Sequence, residues 1–273
     1  MELDVPFVQQ QTNTCGPASL AMLLQWNGRQ ATAEELVREV FAPERSGTLQ
    51  LSLVAAARER GLLAYPIAGR EQLLAELGAG HPVIVLQQLA RFGKPRWHYA
   101  VATGHTSGGE WIRLHSGTHP SVWQRAWRFS RSWARADAWG LLVLPPHELP
   151  ATATEKAFLR AAVGLERAGR NRAAEGAYRA AAQRWPGSLG AWLGLGNVAH
   201  ARGDYAAAAS AFREAAERHP EAPAVWNNLA DAESRLGHHA LALDAARRAV
   251  SLGEDPVFER TLREVEDRAS TRP

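Results

Sequence analysis

A thiol, an imidazole and a side-chain amide in this chain stand in settings suited to acyl chemistry. Cys15 lies in Thr14-Cys15-Gly16-Pro17-Ala18, at the head of an apolar stretch that runs to Trp26. Proline suits the first turn of a helix, where its missing N–H leaves nothing unsatisfied, so Cys15 is expected at a helix N-terminus. The positive end of a helix dipole favours the anion of a thiol, which is the form that attacks a carbonyl. Such a nucleophile needs a base. His98 opens the strand pattern His98-Tyr99-Ala100-Val101-Ala102 directly after a polar loop, a position from which an imidazole can reach across to a helix end. Gln9 stands six residues before Cys15. Its amide, with the Cys15 backbone N–H, is suited to hold the oxyanion formed when a thiol adds to a carbonyl. Taken singly, each residue also has a plain structural reading, since a lone cysteine is a good small buried hydrophobe.

The elements that would carry these residues read as helices first and strands later. Cys15 to Trp26 is an apolar helix, and Ala33 to Phe41 and Leu49 to Arg60 are amphipathic ones. Pro82-Val83-Ile84-Val85-Leu86 has the pattern of a buried strand. His98 to Gly104 and Trp111 to Leu114 read as a hairpin joined through Ser107-Gly108-Gly109, followed by a short helix near Ser130 and a closing strand at Gly140 to Leu144. Helices followed by an antiparallel sheet make an α+β domain. Pro145-Pro146 onward is the natural exit, with domain limits at 1–147 and a linker over 148–154.

From Thr154 the composition turns Ala-rich and a period of 34 appears. Phe158, Trp192 and Trp226 keep this step, as do Gly169, Gly203 and Gly237, and Ala174, Ala208 and Ala242. Tyr178 and Phe212, and Pro186 and Pro220, follow it too. Each unit reads as helix, tight turn at Gly, second helix and a break near Pro. This resembles the tetratricopeptide repeat, with units at 155–188, 189–222 and 223–254 in an all-α solenoid spanning 155–273. Residues 256–268 read as the polar capping helix that such stacks require. The resemblance implies a groove that takes a peptide or protein partner.

Gln9, then Cys15-Gly16-Pro17-Ala18, then His98-Tyr99 some eighty residues on with a Gly-containing hairpin after it, together resemble the bacteriocin-processing, double-glycine leader peptidases. Their domains are papain-like cysteine peptidases. Gly47 to Gly61, a helix between two glycines, falls where that family has one. The resemblance implies Cys15 as nucleophile, His98 as general base, Gln9 as oxyanion donor, and cleavage after a small-residue pair such as Gly-Gly. It also exposes a departure: the family ends the strand after the histidine hairpin in an Asp that orients the imidazole, whereas here Trp111-Ile112-Arg113-Leu114 runs into His115-Ser116-Gly117-Thr118. Ser116 takes the orienting position, and a hydroxyl can accept from an imidazole N–H while stabilising imidazolium less than a carboxylate does. Asp137, in an Ala-rich segment before Trp139, reads as a surface turn. The missing Asp leaves a second class open, a peptide-binding module of peptidase fold. Transfer of the acyl group to an amine instead of water is a third.

Composition narrows the remaining classes. One cysteine excludes an internal disulfide and any thiolate metal cluster from a single chain. His105, His115 and His119 fall in a Ser/Gly/Thr/Pro-rich stretch that reads as loop, so their spacing implies no metal site, and no cofactor is expected. Net charge is +3, spread over both halves, which leaves no nucleic-acid footprint. Arg125, Arg128, Arg131 and Arg135 among Trp123, Trp127 and Trp133 recur near every third residue, as one solvated helix face would. No apolar run reaches the length of a membrane span. The motif begins close to Met1, so a removed leader and export are expected, with a cytoplasmic chain as the alternative.

Overall fold

In the computed structural model, which describes residues 2–11, 13–45, 47–89 and 95–270, the chain divides into a compact unit up to Ala161 and a second from Ala162. The first unit runs α1 (Cys15–Trp26), α2 (Ala33–Val40), β1 (Phe41–Ala42), β2 (Gly47–Thr48), α3 (Gln50–Glu59), β3 (Leu63–Ala68), α4 (Arg70–Gly78), β4 (Val83–Gln88), β5 (Trp97–His105), β6 (Trp111–Ser116), β7 (His119–Arg125), α5 (Ala126–Ala134) and β8 (Trp139–Leu144). Among the described residues β3 to β8 form one antiparallel sheet of order β3-β8-β4-β5-β6-β7. Residues 90–94, where the polar loop before His98 was expected, lie outside the described residues.

The helix that carries Cys15 is the core of this unit. Ala18, Leu20, Ala21, Met22, Leu23 and Leu24 are fully buried, which is why its sequence shows an unbroken apolar run instead of a stripe. Burial of each large aliphatic side chain contributes about 1.5–3 kcal/mol, so α1 is held rigidly where β5 passes it. Its far end is tied down by Asn27, whose Nδ2 donates to Leu23 O at 2.7 Å and Val143 O at 2.9 Å. At the near end Gly16 admits the Thr48 side chain of β2: a Cβ there would sit 2.6 Å from Thr48 Cβ. The α2 helix starts on a capping box between Thr32 and Glu35.

Three sheet features differ from the pattern expected from sequence. β3 carries Pro66, which normally argues against a strand, but β3 is a sheet edge, where a missing donor is tolerated. β7 occupies the opposite edge and is exposed along most of its length, so it lacks the alternation that marks a half-buried strand. His115 and His119 therefore lie in β6 and β7, not in a loop. On α5, Arg128 and Arg131 face solvent as expected, while Trp133 is buried and donates from Nε1 to Trp139 O at 2.7 Å.

Residues 148–152 are fastened to the first unit. The buried Glu76 carboxylate accepts from the backbone N–H of Ala151 at 3.1 Å and of Thr152 at 2.7 Å. His81 bridges it, with Nδ1 2.6 Å from Glu76 and Nε2 2.9 Å from Glu148. Burial alone would raise the Glu76 pKa, but its hydrogen bonds from His81, Thr152 and Ala151 outweigh that and hold it below the ordinary value. The same pairing raises that of His81.

Helices α6 (Glu155–Arg167), α7 (Asn171–Arg184), α8 (Leu189–Ala201), α9 (Tyr205–Arg218), α10 (Pro223–Arg235), α11 (His239–Leu252) and α12 (Pro256–Ser270) follow. They reproduce the period at atomic level: Trp192 Nε1 donates to Pro186 O and Trp226 Nε1 to Pro220 O, both at 2.8 Å. Gly169, Gly203 and Gly237 have φ of 69, 77 and 80°, the left-handed conformation that ends one helix and starts its partner. Buried Ala208 and Ala242 recur in register, and Gly194 and Gly196 receive the rings of Tyr178 and Phe212, where a Cβ would clash. The stack is helical throughout its described residues, with α12 as its last member.

Candidate active site

A cleft of about 1160 Å³ opens where the start of α1 meets β5 and the β6–β7 turn. Cys15, His98, Tyr99 and Ser116 line it together with Gln10 and Gln11. The helix and strand place the thiol and imidazole on one wall system because α1 packs on β5, whose Gln87-paired residue is His98. His98 Nε2 lies 2.8 Å from Ser116 Oγ, the next strand supplying the hydroxyl. Nδ1 of the same ring makes no hydrogen bond among the described residues.

Burial, assisted by the nearby Arg96 guanidinium, pushes the His98 pKa down to about 4. No carboxylate offsets these effects. The imidazole is therefore neutral at pH 7. Tyr99 is buried, its phenol pushed above the ordinary range by burial and by Cys15, and its OH donates to Thr48 O at 3.0 Å.

The glutamines sort differently from the expectation based on spacing. Gln9 is exposed and is not among the residues that line the cleft. Side chains alternate along an extended chain, and it is Gln10 that turns inward. Its backbone N–H donates to Gly117 O at 2.9 Å and Gly117 N–H returns a bond to Gln10 Oε1 at 2.8 Å. Gln10 Nε2 donates to Tyr99 O and Ser19 Oγ, both at 3.2 Å. That amide is committed to stitching the extended N-terminal segment to α1, β5 and the β6–β7 turn. The chain then turns, with Thr14 N–H donating to Gln11 O at 3.2 Å, and this turn brings Gln11 back to the cleft. Three consecutive glutamines look alike in sequence, and only the alignment of the extended segment against Gly117 separates them.

The histidines set aside above have structural partners. His115 is buried, its Nε2 donating to Val5 O at 2.9 Å and its Nδ1 accepting from Ser121 N–H at 3.2 Å, with Phe7 edge-on at 5.5 Å. His119 Nδ1 lies 2.9 Å from Thr118 Oγ1. No group of three or more His, Cys, Asp or Glu suited to a metal ion occurs among the described residues. None of the described helices is long and apolar enough to cross a membrane. Asp137, read as a surface turn, is an exposed turn residue with φ 55° that also lines the cleft, as do Arg96 and Arg135.

An antiparallel sheet laid against an apolar helix that starts with a cysteine, with a histidine on the facing strand, defines the papain-like class of cysteine-peptidase fold. Residues 2–136 match the model of the Peptidase_C39 like family, and residues 159–223 and 201–256 match that of the tetratricopeptide repeat. The first unit is thus a papain-like C39 domain, and the chain fuses it to tetratricopeptide repeats. A C39-like peptidase from Bacillus anthracis is 19% identical, with 52% of this chain and 94% of that one covered and a TM-score of 0.45. The peptidase domain of Streptococcus ComA, a bifunctional ABC transporter of a quorum-sensing pathway, is 22% identical over 52% and 98%, with a TM-score of 0.43. A double glycine motif protease from an AMS/PCAT transporter, solved with its leader peptide, is 22% identical over 52% and 92%, with a TM-score of 0.40. No curated protein matches the chain.

Proposed function

We propose that the first unit is a thiol peptidase in which Cys15 attacks a peptide carbonyl and His98 moves the proton. The observation that carries this reading is the shared cleft of Cys15 and His98, with Ser116 Oγ 2.8 Å from His98 Nε2. With Nε2–H donating to Ser116, Nδ1 keeps its lone pair and takes the thiol proton as the Cys15 Sγ–C bond forms. The resulting imidazolium then gives that proton to the leaving amine, and water hydrolyses the acyl-enzyme with His98 again as base. The Cys15 N–H at the helix start and the Gln11 amide hold the oxyanion. Gln11 takes this role in place of Gln9 because Gln9 is not part of the cleft lining and the Gln10 amide is already bonded. Cleavage after a small pair such as Gly-Gly follows from the family resemblance, and the repeats bring the protein substrate or a partner to the enzyme.

Incubation of the intact chain with a peptide library, read by mass spectrometry, tests this directly. Hydrolysis products that vanish in Cys15→Ala are expected. Products in which the new carboxyl end carries an amine would assign acyl transfer instead, and an unchanged library would remove the enzymatic reading.

A further inference from the structure

The cleft is electrostatically one-sided. Arg96 and Arg135 both line it, and neither guanidinium makes an ion pair or side-chain hydrogen bond among the described residues. Four other arginines of this unit are engaged: Arg60 with Glu39 through two 2.8 Å contacts, Arg70 with Gly109 O at 3.0 Å, Arg113 with Leu3 O at 3.0 Å and Arg125 over the Trp111 ring, while Arg128 and Arg131 point to solvent away from the cleft lining. Among the described residues Asp137 is the one carboxylate in the lining, and it forms no ion pair with either arginine. Two cations against one carboxylate leave the lining with a net positive charge, and the cleft walls focus that potential.

We propose that Arg96 and Arg135 are specificity-determining residues that select peptides presenting a carboxylate side chain to this part of the cleft. The proposal rests on the peptidase reading for the nature of the occupant. A guanidinium matches a carboxylate with two parallel N–H···O bonds, so an acidic side chain gains both charge and geometry there, while a lysine is repelled. Arg96 also acts on His98, which places its charge within reach of the catalytic base and of whatever lies over it. Trp97, half exposed and adjacent to Arg96 in the same lining, gives the stem of such a side chain an apolar wall. Exposed pairs are individually weak, so the two arginines together should favour Glu over Gln by about tenfold.

The test uses full-length Cys15→Ala with a C-terminally amidated peptide library that carries Glu, Gln or Lys at each position, the retained peptides being identified by mass spectrometry. Enrichment of Glu over Gln at one position is expected, flattened by Arg96→Gln with Arg135→Gln and turned toward Lys by Arg96→Glu with Arg135→Glu. Equal retention of Glu and Gln peptides, no retention, or a Glu preference that survives both double variants overturns the proposal. Enrichment that appears only when the same library has free carboxyl ends also overturns it, because the chain end and not a side chain is then the ligand. Wild-type enzyme with the same library separates the two readings: absent hydrolysis alongside selective retention removes the peptidase and leaves the selectivity.

Discussion

His98 Nε2 and Ser116 Oγ meet at 2.8 Å across neighbouring strands, so the group that orients the imidazole is a neutral hydroxyl. A hydroxyl holds the ring plane, pairs with either tautomer because it both donates and accepts, and gives an imidazolium little charge stabilisation. With burial and Arg96 acting against the proton, His98 stays neutral down to about pH 4.

This geometry fixes the acid limb of the pH profile. Protonated His98 cannot serve as base, so kcat/KM should hold steady well below the ordinary imidazole value of 6.5 and fall only as pH approaches about 4. Ser116→Asp should move that limb upward, because an adjacent carboxylate favours the imidazolium. Arg96→Gln should move it the same way by less, since burial is the larger cause. Ser116→Ala should lower kcat by about tenfold by releasing the ring. Profiles that coincide for wild type and Ser116→Asp would remove Ser116 from the mechanism.

Gly16 and Thr48 make a steric test of how the nucleophile is seated. A Cβ at residue 16 would meet Thr48 Cβ at 2.6 Å, so Gly16→Ala should cost about 1–3 kcal/mol in urea denaturation. Thr48 Oγ1 is buried without a hydrogen-bond partner among the described residues, so Thr48→Val should be neutral or stabilising. Equal stability of Gly16→Ala and wild type would show that β2 is free to retreat from α1.

The Glu76–His81 pair should give stability a definite pH window. Glu76 has a lowered pKa, so its contribution is present above its ordinary 4.5 and is lost as pH falls through the lowered value. His81 has a raised pKa, so its contribution is complete below 6.5 and is lost as pH rises through the raised value. The gap in melting temperature between wild type and Glu76→Gln should therefore be widest between pH 4.5 and 6.5. At its widest it should correspond to about 3 kcal/mol, the cost of breaking a buried charged pair. A gap independent of pH would mean that the pair contributes by packing alone.

The repeats were legible because one small set of residues recurs at fixed spacing, with Gly169, Gly203 and Gly237 marking the turn inside each unit and Pro186 and Pro220 the break between units. Cys15 and His98 were legible because each sits at the start of an element with its own strong pattern. Gln10 was not, since its place depends on how the extended N-terminal segment pairs with Gly117, a contact between residues far apart in the chain. β7 and β3 were hidden for a related reason: an edge strand need not alternate, and it can carry a proline. The electrostatics of His98 depend on burial and on Arg96 lining the same cleft, neither of which a sequence displays.

Cys15 is the sole cysteine, so the mass of the intact chain after alkylation reports on it alone. It is partly exposed at the cleft mouth, and iodoacetamide should add one group to the folded protein at pH 7.5. A peptide that occupies the cleft should slow this reaction, because the same opening admits both. His98→Ala then separates access from chemistry. Alkylation expels iodide, which needs no proton, whereas peptide cleavage expels an amine, which does. The variant should therefore still label, while peptide turnover drops by about 10³-fold, the scale of a lost general acid–base. Turnover that survives His98→Ala would assign the proton transfer to another group. A thiol that refuses the label in the folded chain would make Cys15 a packing residue and the cleft a binding site without a nucleophile.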